Sequence, residues 1–251
     1  MGSMSDDLQI ALSDGVLTLT LDRPSSANAL GPALVEALIG ALDDAPAETR
    51  VLVIRGSGAH FCAGFDLGGL DTLSDGDLLL RFVRIETLLQ RVFHAPFPTV
   101  ALAQGRAIGA GADLFAACAL RIAAPGTLFR MPGWRFGIAL GTRRLASRIG
   151  SEAARDMLLG SRTVAAEQAL ELGLVHDIAT EDHWPEAVAR ARDLAATLTS
   201  RSVADLMTLT AVDTRAADMA ALVETASRPG LKQRMIAYRD AMPRTRKSGR
   251  A

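Results

Sequence analysis

The chain opens on a period of two. Leu17, Leu19 and Leu21 alternate with Thr18 and Thr20 behind the turn Ser13-Asp14-Gly15, which is how a strand turns one face to a core and the other to water. Residues 8–12 and 16–21 are therefore predicted to form a β-hairpin. At Pro32, whose fixed φ suits the first turn of a helix, the pattern becomes helical and stays so to about Asp43. Residues 51–54 are a short apolar run, read as a buried strand. A long helix is predicted from about residue 77 to 94, with Leu78, Phe82, Ile85, Leu88, Leu89 and Val92 on one face and Pro96 and Pro98 ending it. Thr99–Ala103 and Leu120–Ala123 read as strands, 105–111 as a glycine-rich turn and 113–117 as the start of a helix. Beyond Gly150 the pattern is mostly helical, apart from a strand at 174–178 after the helix stop Gly173.

Strands interleaved with helices, followed by a helical tail, predict an α/β core over residues 1–190 and a helical region over 191–251 suited to packing on another subunit. With 49% hydrophobic and 22% charged residues the chain can bury a large core, so disorder is not expected. A net charge of -1 supplies no basic field for nucleic acid, which leaves a small molecule or a protein as partner. No run reaches the roughly 18 apolar residues of a membrane span. Cys62 and Cys118 lie far apart in apolar surroundings, without disulfide-scaffold or zinc spacing, so a reducing cytoplasm is the expected home. Met1-Gly2-Ser3-Met4 reads as an added leader before the native methionine, and the basic tail 244–250 as frayed and solvated.

Two stretches concentrate the chemistry. His60-Phe61-Cys62-Ala63-Gly64-Phe65-Asp66-Leu67 follows a strand, and its small residues let a ligand approach backbone N–H groups. Gln104-Gly105-Arg106-Ala107-Ile108-Gly109-Ala110-Gly111-Ala112-Asp113 runs into a helix, whose first amides and positive dipole end suit an anion or a developing oxyanion. A dinucleotide fingerprint is a poor match, because Leu114 stands where its third glycine belongs.

These stretches resemble the enoyl-CoA hydratase/isomerase (crotonase) family, through an A-G-x-D-L element followed some forty residues later by a G-x-A-x-G-G-G-x-E-like element. Leu21-Asp22-Arg23-Pro24 with Asn28-Ala29-Leu30, and Cys118-Ala119-Leu120-Arg121-Ile122-Ala123, extend the resemblance over nearly the whole chain. It implies a crotonase-like spiral of ββα units with a helical C-terminal region, assembled as a homotrimer or hexamer. It also implies an acyl-CoA thioester as ligand, with the coenzyme A carried by the substrate and neither prosthetic group nor metal. Carried over by position, the N–H groups of Ala63 and Ala110 are the oxyanion donors, Asp113 is the acid or base, and Ala63, Gly64, Phe65, Asp66, Gly109 and Ala110 bind the substrate.

The departures bear on the reaction. The family's hydratases carry one glutamate after the glycine-rich turn and a second in a Pro-Glu pair; this chain has Asp113 and Pro132-Gly133. Aspartate is shorter by about 1.5 Å, and a misplacement of about 1 Å can cost roughly 10²-fold. Gly133 has no side chain to titrate, which argues against ordinary hydration. The stretch Gly137-Ile138-Ala139-Leu140-Gly141-Thr142 lacks the usual proline and paired glycines and is shorter by about three residues. An enolate- or oxyanion-stabilising lyase or isomerase of fatty acyl metabolism is therefore expected; a non-catalytic acyl-CoA-binding protein, a thioester hydrolase and a decarboxylase are the alternatives. Asp113 also reads as a helix cap, His60 as a partly exposed loop residue or a proton-transfer group beside the pocket, Cys62 as an inert packed thiol, and Trp134 as packing. Glu152 and Glu171 read as solvated, and His176 and His183 do not make a metal pair.

Overall fold

The computed structural model describes residues 6–241, so the leader 1–4 and the tail 244–250 lie outside the described residues. The predicted hairpin is present as β1 (Leu8–Ser13) and β2 (Val16–Leu21), paired antiparallel with Leu8 opposite Leu21. Helix α1 (Pro32–Asp43) starts on its proline and leads to β3 (Val51–Gly56). Helix α2 (Asp75–Phe93) begins earlier than its apolar face suggests because Ser74 and Asp77 form a capping box: the Asp77 N–H donates to Ser74 Oγ at 3.1 Å, and the Ser74 N–H donates to Asp77 Oδ2 at 2.8 Å. Then come β4 (Thr99–Ala103), β5 (Arg106–Ile108), α3 (Ala110–Ala117), β6 (Leu120–Ala123) and β7 (Leu128–Arg130).

The expected turn at 105–111 thus contains a strand, and the helix after it starts at Ala110 rather than 113. Gly105 and Gly109 do take positive φ, 63° and 54°, but 106–108 between them pairs with β7. Past a short helical turn at Gly133–Phe136 follow α4 (Thr142–Ile149), α5 (Ser151–Gly160), β8 (Val164–Ala165), α6 (Ala166–Glu171) and β9 (Asp177–Ile178). The strand expected over 174–178 shrinks to its last two residues because the backbone groups at its start are engaged elsewhere: the Leu174 and Val175 N–H groups donate to Ala169 O at 2.9 and 3.0 Å, and Arg121 Nε donates to Leu174 O at 2.7 Å. Helices α7 (Trp184–Ala196), α8 (Ser200–Thr210), α9 (Arg215–Ala226) and α10 (Leu231–Asp240) complete the described chain.

The larger sheet has the order β1-β2-β3-β4-β6-β9, parallel from β2 onward, and β5-β7-β8 form a smaller one. Parallel strands are covered on both faces, and the residues divide accordingly. Leu52, Ile54, Ala101 and Ala103 face the main core with α1 and α2, whereas Val51, Val53, Val100 and Leu102 face Trp184, Ala187 and Ala195 of α7. The C-terminal helices do not behave alike. Leu222, Ala226, Leu231 and Met235 of α9 and α10 join the core of their own chain, while Leu206 and Leu209 of α8 are exposed. No helix of the described residues is long and apolar enough to cross a membrane.

The two sheets meet where the first chemical stretch crosses the second. The Cys62 N–H donates to Arg106 O at 3.1 Å and the Ile108 N–H to Cys62 O at 2.9 Å. Glycine is required on both sides of this crossing: a Cβ on Gly64 would overlap Ile108 O, and one on Gly111 would overlap Cys62 O. Gly111 has ordinary helical φ, so its requirement is steric alone. Gly111→Ala is expected to lower stability by about 1–3 kcal/mol through overpacking, read as a fall in denaturant midpoint at unchanged slope.

Candidate active site

Residues 63–66 are held from two sides. On one, Asn28, fully buried at φ 55°, donates from Nδ2 to Ser57 O (2.9 Å) and His60 O (2.7 Å) while its Oδ1 accepts the Arg23 N–H (2.8 Å). That brace fixes 27–30, against which Leu30 and Phe65 make a parallel bridge: the Leu30 N–H donates to Gly64 O at 2.7 Å and the Asp66 N–H to Leu30 O at 3.4 Å. On the other, the Phe65 ring stacks on Phe82 with centroids 4.5 Å apart, under the Arg81 guanidinium at 4.2 Å, and Arg81 Nη2 donates to Asp66 O at 2.7 Å.

This geometry corrects the expected donor. The Ala63 N–H points at Ala27 O, 2.9 Å away, and is already engaged. In a parallel bridge the bonded groups belong to the two neighbours of the bridging residue, so the Phe65 N–H faces away from Leu30 and meets no acceptor among the described residues. Gly109 is likewise engaged, donating to Arg130 O at 2.7 Å. Ala110, the first residue of α3, has an N–H with no intrahelical partner. A Cβ built on Gly64 would lie 3.1 Å from Ala110 N, which shows how closely the two turns approach. Two free amides, at Phe65 and Ala110, therefore flank one cavity.

That cavity is lined by Ala63, Gly109, Ala110 and Asp113 and by a largely apolar wall that includes Phe65, Phe136, Ile138 and Leu140. Met131, Pro132, Gly133 and Trp134 close one side; Met235 and Tyr238 of α10 close another. Among the described lining residues Asp113 is the one carboxylic acid. Its side chain makes no cap bond, which removes the helix-cap reading, and its Oδ1 is buried without a partner. It lies against Gly141, where a Cβ would overlap the carboxyl; the short 137–142 loop, with Gly141 at φ 63°, makes that room. Burial raises the Asp113 pKa well above the usual range, with Arg144 lowering it and Glu86 raising it.

The remaining candidates separate from the cavity or from titration. Asp66 has its carboxylate on Arg23 at 3.0 Å and on the Gly68 N–H at 2.9 Å. Burial acts to raise its pKa, but Gly68, Arg23 and Arg81 together hold it below the usual value. Its side chain is a brace for the loop. Burial pushes the Cys62 and Cys118 thiols up to about 12, which suits inert packing. His60 does not line the cavity. Trp134 is 43% exposed and donates from Nε1 to Thr142 Oγ1 at 3.2 Å, at the rim. Sequence reading missed Met235 and Tyr238, which are distant in the chain and carry no motif. It also missed the ion cluster behind Asp113, where Arg144 (3% exposed) pairs with Glu86 (1%) through two hydrogen bonds of 2.9 and 2.5 Å. Asp218 lies 3.5 Å from the same guanidinium, so α2, α4 and α9 are tied at one charge.

Two expectations follow from these charges. Glu86→Ala leaves Arg144 buried beside Asp218 at longer range only, and is expected to cost about 3–5 kcal/mol in unfolding free energy. Asp113 binds its proton more tightly folded than unfolded, so its contribution is fully present below the ordinary value of 3.8 and is lost as pH rises toward the raised one. Asp113→Asn should therefore gain on the parent protein in thermal melts as pH rises above the ordinary carboxyl value of 3.8; parallel curves would show that folding does not raise the carboxyl's pKa.

Comparison with known proteins gives the family. The sequence profile described as enoyl-CoA hydratase/isomerase matches residues 11–242. A Rhodobacter capsulatus protein named "Probable enoyl-CoA hydratase" is 38% identical over 197 residues, 75% of each chain. A Mycobacterium tuberculosis protein also named a probable enoyl-CoA hydratase is 37% identical over 193 residues, 74% of this chain and 77% of its own. A crystal structure of an enoyl-CoA hydratase/isomerase-type protein from Bordetella parapertussis superposes with a TM-score of 0.93 at 44% identity, covering 95% of this chain and all of that one. The profile spans nearly all of the described residues, and the chain belongs to the enoyl-CoA hydratase/isomerase family.

Proposed function

We propose that the protein is an acyl-CoA enzyme that forms a thioester enolate or a related oxyanion, using the N–H groups of Phe65 and Ala110 as donors and Asp113 as the proton-transfer group. The observation that carries this reading is the pair of unengaged amides beside one buried carboxyl, whose Oδ1 has no partner, in an apolar cavity. A thioester carbonyl gains negative charge on oxygen as its α-proton leaves, and two preorganised donors in a dry site stabilise that charge without solvent reorganisation. Asp113 has its pKa moved upward, toward the range in which a carboxyl both takes and returns a proton. The same group can remove a proton at one carbon and deliver it to another. Gly133 offers no second carboxylate to hold and activate water, so the reading is lyase or isomerase chemistry other than two-carboxylate hydration. The acyl-CoA partner rests on the family and the apolar wall. The exposed Leu206, Leu209 and Val212 support association into a homotrimer or hexamer through the α8 face.

Ala110→Pro tests the donor directly. Proline is accommodated at the first position of a helix, where its missing N–H breaks no intrahelical bond, yet here it removes one of the two donors. In steady-state assays over a panel of enoyl- and saturated acyl-CoA thioesters, kcat is expected to fall by roughly 10²–10³ while the circular-dichroism spectrum is retained. Binding without any product from the parent protein across that panel would overturn the catalytic reading in favour of a non-catalytic acyl-CoA binder.

A further inference from the structure

The cavity wall carries a second protic side chain, and it comes from the opposite end of the sequence. Tyr238 of α10 lines the same cavity as Asp113 and Gly133. Its ring packs on Phe136 with centroids 5.1 Å apart, and Phe136 ends the helical turn that begins at Gly133. The placement is fixed by several independent ties. Arg234 Nε donates to Phe136 O at 2.9 Å, joining α10 to that turn. The Gly230 and Lys232 N–H groups donate to the Asp75 carboxylate at 3.1 and 2.7 Å, joining the start of α10 to the start of α2. Arg239 pairs with Asp71 at 2.8 Å beyond it.

The phenol itself has no hydrogen-bond partner among the described residues, in a wall that is largely apolar apart from Asp113 and Trp134. An O–H donor at an apolar surface finds its best acceptor in what fills the space. Burial raises its pKa above the ordinary 10.0, so it remains a donor through the neutral range rather than a base.

We propose that Tyr238 is a specificity-determining residue that donates a hydrogen bond to an oxygen carried by the acyl chain, so that the site selects oxygenated acyl thioesters over plain hydrocarbon ones. This rests on the acyl-CoA reading above. It also assigns a use to Gly133: with no side chain there, the substituent can reach the phenol from the thioester end of the cavity. A site built to bond a substrate oxygen discriminates against analogues that lack it, because the polar group is then left unpaired.

The test measures equilibrium affinity of the full chain for butyryl-CoA, 3-hydroxybutyryl-CoA and 3-oxobutyryl-CoA by calorimetry, for the parent protein and for Tyr238→Phe. At least one oxygenated ligand is expected to bind the parent about 5–10-fold more tightly than butyryl-CoA. In Tyr238→Phe that preference should disappear while butyryl-CoA affinity stays within about twofold. Equal affinities in the parent, or a preference that survives in Tyr238→Phe, would overturn the assignment while leaving the acyl-CoA reading intact. Failure of all three thioesters to bind the parent would overturn both.

Discussion

The structure depends on the close approach of two backbone turns. Residues 62–65 lie directly on 107–111, with carbonyl oxygens where side chains would otherwise stand, and Gly64 and Gly111 are what make the approach possible. The contact does two things at once. It joins the larger sheet to the smaller one through the bridge between Cys62 and Ala107, and it brings the Phe65 and Ala110 amides to the same space. Backbone donors placed by sheet pairing and a helix start cannot rotate away, which is the property electrostatic stabilisation of a developing charge requires. The bracing by Asn28, by the Phe65–Phe82 stack and by Arg81 then reads as support for one peptide unit.

Behind the amides the chain buries a cluster of charge. Arg144, Glu86 and Asp218 form a cluster linking three helices, and Asp113 sits near it with an unpaired oxygen. A buried polar atom without a partner costs about 1–3 kcal/mol, and a buried ion pair is seldom a net gain over apolar packing. Costs of this kind concentrate where a group must react. Burial raises the Asp113 pKa, while Arg144 lowers it and Glu86 raises it.

The glycine at 133 gives the site its individual character. With glycine at 133, the polar groups on the cavity wall are Asp113, the amides, the Trp134 indole and the α10 phenol. Closure by α10 makes the C-terminal helices part of the site, since Met235 belongs both to the core and to the cavity wall. The last two described helices thus have a different task from α8, whose exposed leucines face outward.

Local pattern was enough for much of this protein. The hairpin, α1, the strands at 99–103 and 120–123 and the long second helix follow from apolar periodicity and from proline, because each is decided by neighbours in the chain. The two glycine-bearing stretches, their order and Asp113 were legible for the same reason, and with them the family. What the sequence could not decide is where each group points. Ala63 and Phe65 both carry an N–H in the same short motif, and only pairing with 27–30, far off in the chain, engages one and frees the other. Pairing with β7 and with Cys62 makes a strand of 106–108, and at 174–175 the N–H groups go to Ala169 O and the Leu174 carbonyl to Arg121. Tyr238 has no motif at all; it enters the site because α10 folds back onto α2 and the turn at Gly133. Periodicity reports which face of an element is buried, whereas the direction of one N–H or one phenol is set by tertiary partners that no local pattern encodes.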